Sequence, residues 1–321
     1  MQAVYATGPR PDDPLAALAL GGMPEPRPLP GWTLVTVRSA SLNHHDLWTL
    51  RGAGLPADRY PMILGCDASG TDENGRDVVV LGTICAPEWR HDPVRDPRHT
   101  ALSEGAPGTF AERVAVPSHC LVPKPAGFSH QEAACLPATW LTAYRMLFTK
   151  ARVTAGDTVL VQGAGGGVST ALTRLAAAAG VRVWVTGRTE EKREAALARG
   201  AHACFRPGQP LPGPVDAVME TVGRATWSHS LRSVRPGGTV VVTGATTGAD
   251  PAAHLNRIFW QEIRVLGSTG GTPQEFDALL AFMRLHGLRP EIAAELPFSR
   301  AAEGFRRMLA GDVQAKTVFS W

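Results

Sequence analysis

The 321-residue chain reads as an α/β protein whose later part is a doubly wound parallel sheet. Three observations predict it. From Thr158 onward, continuous apolar runs alternate with helical patterns, as expected for strands covered on both faces. The first of those runs turns directly into a glycine cluster, Gly163-Ala164-Gly165-Gly166-Gly167. The part before Val122 has another texture, with short β-branched runs split by Gly, Pro and Asp.

At roughly 100–200 residues per domain, this length predicts two domains. Hydrophobic residues make up 44% and charged residues 19%, which excludes a disordered chain. With 32 basic and 29 acidic residues and no basic block, nucleic acid is not an expected partner. The cysteines, Cys66, Cys85, Cys120, Cys135 and Cys204, are odd in number and widely spaced. That pattern excludes a disulfide framework and a four-thiolate zinc site. No apolar run approaches the roughly 18 residues of a membrane span. The start, Met1 to Pro14, has no basic segment before its apolar stretch and carries Asp12-Asp13. A cytoplasmic protein without a secretory leader is expected. Lysine is scarce enough that each one matters: Lys124, Lys150, Lys192 and Lys316.

In chain order, strands are expected at Leu34–Arg38 and Val78–Leu81. A surface excursion with Pro87, Pro93, Pro97 and Pro107 occupies Gly82–Thr109. Helical patterns follow at Gln131–Cys135 and Trp140–Lys150. Strand Thr158–Gln162, helix Thr170–Ala179, strand Arg182–Thr186 and helix Glu190–Arg199 open the alternating series. It continues with strand Ala217–Thr221, helix Thr226–Val234, the turn Arg235-Pro236-Gly237-Gly238 and strand Thr239–Thr243. Strand Ile263–Gly267 and helix Gln274–His286 close it, and helix Ala301–Ala310 and strand Lys316–Ser320 end the chain. The domain plan is 1–121, then an inserted nucleotide-binding domain over 122–288, then a return to the first domain over 289–321.

The glycine cluster sits where a buried strand becomes a helix. Glycines let the backbone approach a pyrophosphate, and the helix start offers N–H donors and partial positive charge. Gly163, Gly165, Gly166, Gly167 and Val168 are the candidate cofactor contacts of this turn. A turn with no ligand is the bland alternative. NAD-binding versions carry an acid at the end of the second strand to hold the ribose hydroxyls. Here that end reads Val185-Thr186-Gly187-Arg188-Thr189, with no acid before Glu190. Thr186 is a candidate cofactor contact, and Arg188 and Lys192 can neutralise a 2′-phosphate, so NADPH is the expected cofactor. Two solvated cations at a helix start are the alternative.

Several segments carry a resemblance: Ser41-Leu42-Asn43-His44-His45-Asp46-Leu47, Pro61-Met62-Ile63-Leu64-Gly65-Cys66-Asp67-Ala68-Ser69-Gly70, Gly108-Thr109-Phe110-Ala111-Glu112 and Leu141-Thr142-Ala143-Tyr144-Arg145. With the glycine turn and Arg235-Pro236-Gly237-Gly238, they resemble the medium-chain dehydrogenase/reductase superfamily over nearly the whole chain. The resemblance implies a GroES-like β-barrel catalytic domain plus a Rossmann domain, with the active site between them. Zinc-dependent members hold their metal through a Cys, a Gly-His-Glu motif and a second Cys. Those places hold Asn43, Cys66-Asp67 and Ala138 here, and the lobe that would bind structural zinc has only Cys85. The chain therefore resembles the zinc-independent quinone oxidoreductase and enoyl reductase branch, and no metal site is expected. It departs from that branch at Ser169, which replaces the third turn glycine, and at Trp48, where some members carry a Tyr.

Read through the resemblance, the candidate catalytic residues are Asn43, His45 and Asp67. Asn43 and His45 would donate to a carbonyl oxygen that gains charge as hydride arrives, and His45 would also supply a proton. Asn43, Thr142, Thr221, Gly244 and Ser268 are placed along the cofactor cleft by the same route. His44 is expected to point away from His45 in an extended segment. Cys66-Asp67 reads as a remnant metal site, a proton relay, a prop for the Asn43 loop, or a buried thiol beside a hydrogen-bonded carboxylate. Lys316 reads either as a solvated edge lysine or as a cofactor contact. Trp48, Leu50, Trp140, Phe259 and Trp260 are candidate pocket aromatics and aliphatics. A homodimer joined at strand Ile263–Gly267 is implied. The expected function is an NADPH-dependent, zinc-independent oxidoreductase of α,β-unsaturated carbonyls or quinones, acting on a small-molecule substrate. The alternatives are an alcohol, ketone or imine oxidoreductase of the same fold, and a non-catalytic NADPH-binding regulatory protein.

Overall fold

A computed structural model describes all residues from Met1 to Trp321. The first part of the chain forms β1 (Gln2–Ala6), β2 (Leu18–Gly22), β3 (Trp32–Ser41), α1 (His44–Arg51), β4 (Met62–Ile63), β5 (Ala68–Asp72) and β6 (Asp77–Val80). Then come β7 (Thr83–Ile84), β8 (Thr100–Ala101), β9 (Arg113–Pro117), β10 (Leu121–Pro123) and α2 (His130–Ala134). A continuous helical run over 136–151 follows; its central turn α3 (Thr142–Tyr144) is regular and its flanks have wider, π-type turns. The sequence predicted this helix only over Trp140–Lys150; the earlier start at Leu136 includes Pro137, which a helix accepts in its first turn.

The alternating part comprises β11 (Thr158–Val161), α4 (Gly167–Ala178), β12 (Arg182–Thr186), α5 (Glu190–Ala198), β13 (Ala203–Phe205), β14 (Val215–Glu220) and α6 (Arg224–Ser233). It ends with β15 (Val234–Val242), α7 (Leu255–Trp260), β16 (Arg264–Gly267) and α8 (Pro273–Leu285). The last elements are β17 (Ile292–Pro297), α9 (Ala301–Ala310) and β18 (Lys316–Ser320).

Contacts divide the chain into two units. One is Met1–Ala138 with Gly271–Leu280 and Arg289–Trp321; the other is Thr139–Gly270 with Ala281–Leu288. The segment 122–138, placed with the nucleotide-binding domain by sequence texture, packs with the first unit, where α2 lies against β3 and β5.

In the first unit, strands run in the order β10-β6-β5-β3-β18-β17, with β9 also paired to β3. A second sheet has the order β2-β1-β4. The long strand β3 organises the larger sheet. It pairs β5 along one edge, and along the other it pairs β9 near Trp32–Thr36 and β18 near Ser39–Ser41. The core beneath it centres on Phe110, whose ring meets those of Phe298, Phe305 and Phe319 edge-on at centroid distances of 6.1, 6.3 and 5.1 Å.

The second unit is a six-stranded, wholly parallel sheet in the order β13-β12-β11-β14-β15-β16. Counted within the unit this is 3-2-1-4-5-6, with the order reversing beside its first strand, β11. All four β11 residues are buried, which explains its uninterrupted apolar reading. Arg235-Pro236-Gly237-Gly238, read as a turn, is a bulge inside β15. Val234 pairs with Val215 and Thr239 with Ala217, so the intervening residues loop out around Gly237, which adopts φ 68°.

Phe319 is fully buried and joins three other rings. Phe319→Ala is expected to lower stability by about 3–5 kcal/mol, read as a lower midpoint in chemical denaturation.

Candidate active site and nucleotide cradle

Helix α1 starts earlier than the extended reading of its segment allowed. Asp46 closes the first turn: one carboxylate oxygen accepts from Asn43 N at 2.8 Å, and the other accepts from Gly65 N at 2.9 Å. Burial pushes the Asp46 carboxyl up to about 6, against the opposing pull of His45 and the two amide bonds. Because His44 and His45 lie on a helix, they diverge by about 100° rather than pointing oppositely. His44 is exposed and His45 is half-buried. Gly65 adopts φ 93°, and a Cβ there would run into Phe110 and the Thr109 hydroxyl. Glycine at this position lets the chain turn and bring Cys66-Asp67 to Asn43.

Asn43 is the hub of a buried polar cluster. Its Oδ1 accepts from Lys316 Nζ at 2.7 Å, and its Nδ2 donates to Ser41 O at 3.0 Å and to Asp67 Oδ1 at 3.2 Å. Cys66 Sγ lies 3.6 Å from the same nitrogen. Asp67 is fully buried, and both its oxygens face the Ser41 hydroxyl, at 2.8 and 2.9 Å. Burial raises the Asp67 pKa; the Lys316 charge and the bonds from Ser41 and Asn43 oppose that rise. Burial likewise pushes the Cys66 thiol well above its ordinary range, and the carboxylates of Asp67 and Asp46 add to the shift.

Lys316 is not a solvated edge lysine. It is 4% exposed, on a strand flanked on both sides, and also donates to Leu42 O at 2.8 Å. This arrangement does not fit catalytic zinc. The oxygen of Asn43 already faces an ammonium, Ala138 carries no donor, and no three His, Cys, Asp or Glu side chains form a metal-holding group.

His45 presents a different environment. Its Nδ1 is 3.6 Å from Glu104 Oε1, while its Nε2 is buried without a hydrogen-bond partner. Glu104 comes from the Gly82–Thr109 excursion, which composition alone did not connect to the site. Ser103, just before it, is buried at φ 70° with its hydroxyl 3.3 Å from Thr49 Oγ1. Among the candidate pocket residues, Trp48 is half-buried. Leu50 and Trp140 are core residues, whereas Phe259 and Trp260 are 65% and 78% exposed, so none of these four lines an enclosed pocket within its unit.

In the second unit, Gly163 and Gly165 take φ 84° and 97°, values that favour glycine. Gly166 caps α4, and the helix begins at Gly167, three residues earlier than its apolar periodicity suggests. The first-turn amides of Gly167 and Val168 therefore have no acceptor within the helix, the arrangement in which helix starts accept an anion. Ser169 fits in place of the third glycine because its hydroxyl folds back onto Gly166 O at 2.9 Å.

Thr186 and Thr221 stand at the same strand ends but face inward. Thr186 Oγ1 accepts from Gly163 N at 3.0 Å and donates to Gln162 Oε1 at 2.7 Å, and Thr221 Oγ1 donates to Gln162 O at 3.2 Å. Gly244 packs on the Thr221 backbone, where a Cβ would lie 2.9 Å from the Thr221 carbonyl oxygen. Ser268, at the end of β16, keeps a buried hydroxyl oxygen without a partner. Thr142 is buried in α3.

Arg188 is exposed at the end of β12, and Lys192 lies in the first turn of α5 behind the capping residue Thr189. Arg193, not singled out by sequence, folds over Gly187, donating to its carbonyl at 2.9 Å and to Glu190 at 2.9 Å. The nearest acid is thus engaged by Arg193 and absent from the strand end. These glycines, orphan amides and the unpartnered Ser268 hydroxyl are donors of the kind that a dinucleotide's phosphates and ribose accept from, with the cations Arg188 and Lys192 beside them.

No helix is long and apolar enough to cross a membrane. Residues 29–126 match the alcohol dehydrogenase GroES-like domain, and residues 167–284 match the zinc-binding dehydrogenase family. An acryloyl-coenzyme A reductase of Sulfurisphaera tokodaii is 26% identical, over 95% of this chain and 96% of its own. The quinone oxidoreductase of Homo sapiens is 29% identical, over 89% of this chain and 88% of its own. The solved structure of an NAD-dependent alcohol dehydrogenase superposes with a TM-score of 0.90 at 30% identity, covering 100% of both chains. With a GroES-like first unit, a Rossmann-ordered second unit and these likenesses spanning its length, the chain belongs to the medium-chain dehydrogenase/reductase superfamily.

Proposed function

We propose that the protein is an NADPH-dependent, zinc-independent reductase of α,β-unsaturated carbonyls or quinones. The observation that carries the reading is the Lys316 ammonium on Asn43 Oδ1, which occupies the acceptor where zinc-dependent relatives need a ligand. The names of the relatives, acryloyl-coenzyme A reductase and quinone oxidoreductase, point to the same substrate classes.

A bound NADPH supplies hydride to the acceptor carbon. The chain's own work is to hold the dinucleotide and to receive the charge that grows on the substrate oxygen. Gly163, Gly165, Gly166, Gly167 and Val168 take the pyrophosphate, and Ser268 with Thr142 and Gly244 lines the remainder. Thr186 and Thr221 brace the turn rather than touch the ligand, because their hydroxyls are already engaged. Asn43 and Asp67 act as positioning residues: both Nδ2 protons of Asn43 are committed within the chain, and Asp67 is sealed beneath it. His45 is the donor to the developing oxyanion, since its Nε2 alone of this cluster lacks a partner. One such donor accounts for about 10²–10³ in rate.

The similarity to an alcohol dehydrogenase structure supports a second reading, reduction of C=O in place of C=C. Product mass and NMR separate the two. We also assign the open edge at β16, with the exposed Leu255, Phe259, Trp260 and Val265, to a second copy of the chain. A two-chain mass in solution is expected, and a monomer would overturn that assignment.

NADPH oxidation is expected with at least one member of a panel of quinones, enones and enoyl thioesters; silence across the panel would refute the reductase reading. Replacing both Arg188 and Lys192 by Ala is expected to lower kcat/KM for NADPH by roughly 10- to 100-fold and to leave NADH nearly unchanged. Equal losses with both cofactors would remove the 2′-phosphate role.

A further inference from the structure

A second polar network, buried in the Rossmann unit, lies behind the glycine turn. Gln162 is 0% exposed, and every hydrogen-bonding atom of its amide is engaged. Its Oε1 accepts from Thr186 Oγ1, and its Nε2 faces His229 Nδ1 at 2.9 Å and Ser230 Oγ at 3.0 Å. Ser230 Oγ donates onward to Glu220 Oε2 at 2.6 Å. The other Glu220 oxygen accepts from Val222 N at 2.8 Å and from Gly223 N at 3.0 Å. His229 Nε2 lies 2.9 Å from the carbonyl oxygen of Gln209.

The ends of this network set its direction. Gly163 N–H can only donate, and the Gln209 carbonyl can only accept. The carbonyl therefore places the proton of His229 on Nε2 and leaves Nδ1 as an acceptor. That acceptor takes one Nε2 proton of Gln162, Ser230 takes the other, and Oε1 is left for the Thr186 hydroxyl. Thr186 oxygen is then free to receive Gly163 N–H. One arrangement satisfies every group, and it requires neutral His229.

We infer that Gln162 is a positioning residue of the nucleotide turn, held by neutral His229, so that protonation of His229 weakens dinucleotide binding. An imidazolium would set an N–H against the Gln162 amide nitrogen. The amide would have to rotate, presenting N–H groups to a Thr186 oxygen that already accepts from Gly163, and an oxygen to Ser230. Both consequences reach the backbone of the turn, at Gly163 directly and at Val222 and Gly223 through Glu220.

The charged groups acting on His229 are Arg232 of its own helix and Glu220 of β14. Burial, the larger influence, holds its pKa below the ordinary imidazole value. The network is accordingly intact at neutral pH and is lost as pH falls below the usual imidazole range. This inference rests on the nucleotide reading of the turn.

The test is NADPH fluorescence titration of the full chain at about pH 7.5 and about pH 5.5, in wild type and in His229→Asn, which keeps an acceptor near Nδ1 but does not titrate. The phosphate of the ligand titrates equally in both proteins, so their difference isolates His229. Because the His229 pKa is held low, wild type is expected to lose about two- to fivefold more affinity than His229→Asn on acidification. Thr186→Val and Thr186→Ser provide an independent arm. The valine variant is expected to raise KM for NADPH roughly tenfold with kcat retained, and serine to restore it. Equal pH dependence in wild type and His229→Asn, or an unchanged KM in Thr186→Val, would overturn the inference while leaving the nucleotide reading standing. Absence of NADPH binding at either pH would overturn both.

Discussion

A buried ammonium is the constraint around which the first unit is arranged. Removing a charge from water costs several kcal/mol unless hydrogen-bonding and opposite charge replace the lost solvent. Lys316 finds two oxygens, on Leu42 and Asn43, with the Asp67 carboxylate acting on the same cluster. Those partners decide much else. With its oxygen turned to Lys316, Asn43 must aim its nitrogen at Ser41 and Asp67, and Asp67 must in turn be held by the Ser41 hydroxyl. Asp46 and Gly65 then hold the two segments, α1 and the Cys66-Asp67 turn, in register.

The Rossmann unit solves a comparable problem with neutral groups. Its first strand ends in Gln162, whose buried amide would be a liability if any of its atoms lacked a partner. Side chains from β12 and α6 complete it, and Glu220 closes the network against two backbone amides. The amides that matter to a ligand, at the start of α4, are those the helix itself leaves unsatisfied.

The parts of this structure legible in the sequence are those set by local periodicity. Buried strands such as Thr158–Val161 and the turn at Gly163 announce themselves because their neighbours in sequence are also their neighbours in space. The residue types at Asn43 and Ala138 were equally legible, since each is read at a single position. What was hidden depends on distant partners. Lys316 reads as an ordinary lysine until β18 is seen between β3 and β17, 274 residues from the carbonyl it binds. Glu104 lies in a segment with no periodicity, and Arg193 is one of many arginines until it folds over Gly187. The early start of α1 was missed because its cause, Asp46, is tied to an amide in another segment.

The position of β18 has a consequence for synthesis. Sheets tolerate a late strand at an edge, where its absence leaves the rest paired, but this strand belongs inside, between β3 and β17. Until β18 has emerged from the ribosome, β3 lacks a neighbour along Ser39–Ser41, the Phe110 cluster lacks a ring, and Asn43 lacks its cation. The Rossmann sheet, whose strands all lie between Thr158 and Gly267, has no such wait. In vectorial synthesis every strand of the Rossmann sheet is therefore available before β18, so the polar cluster around Asn43 is the later of the two arrangements to be completed.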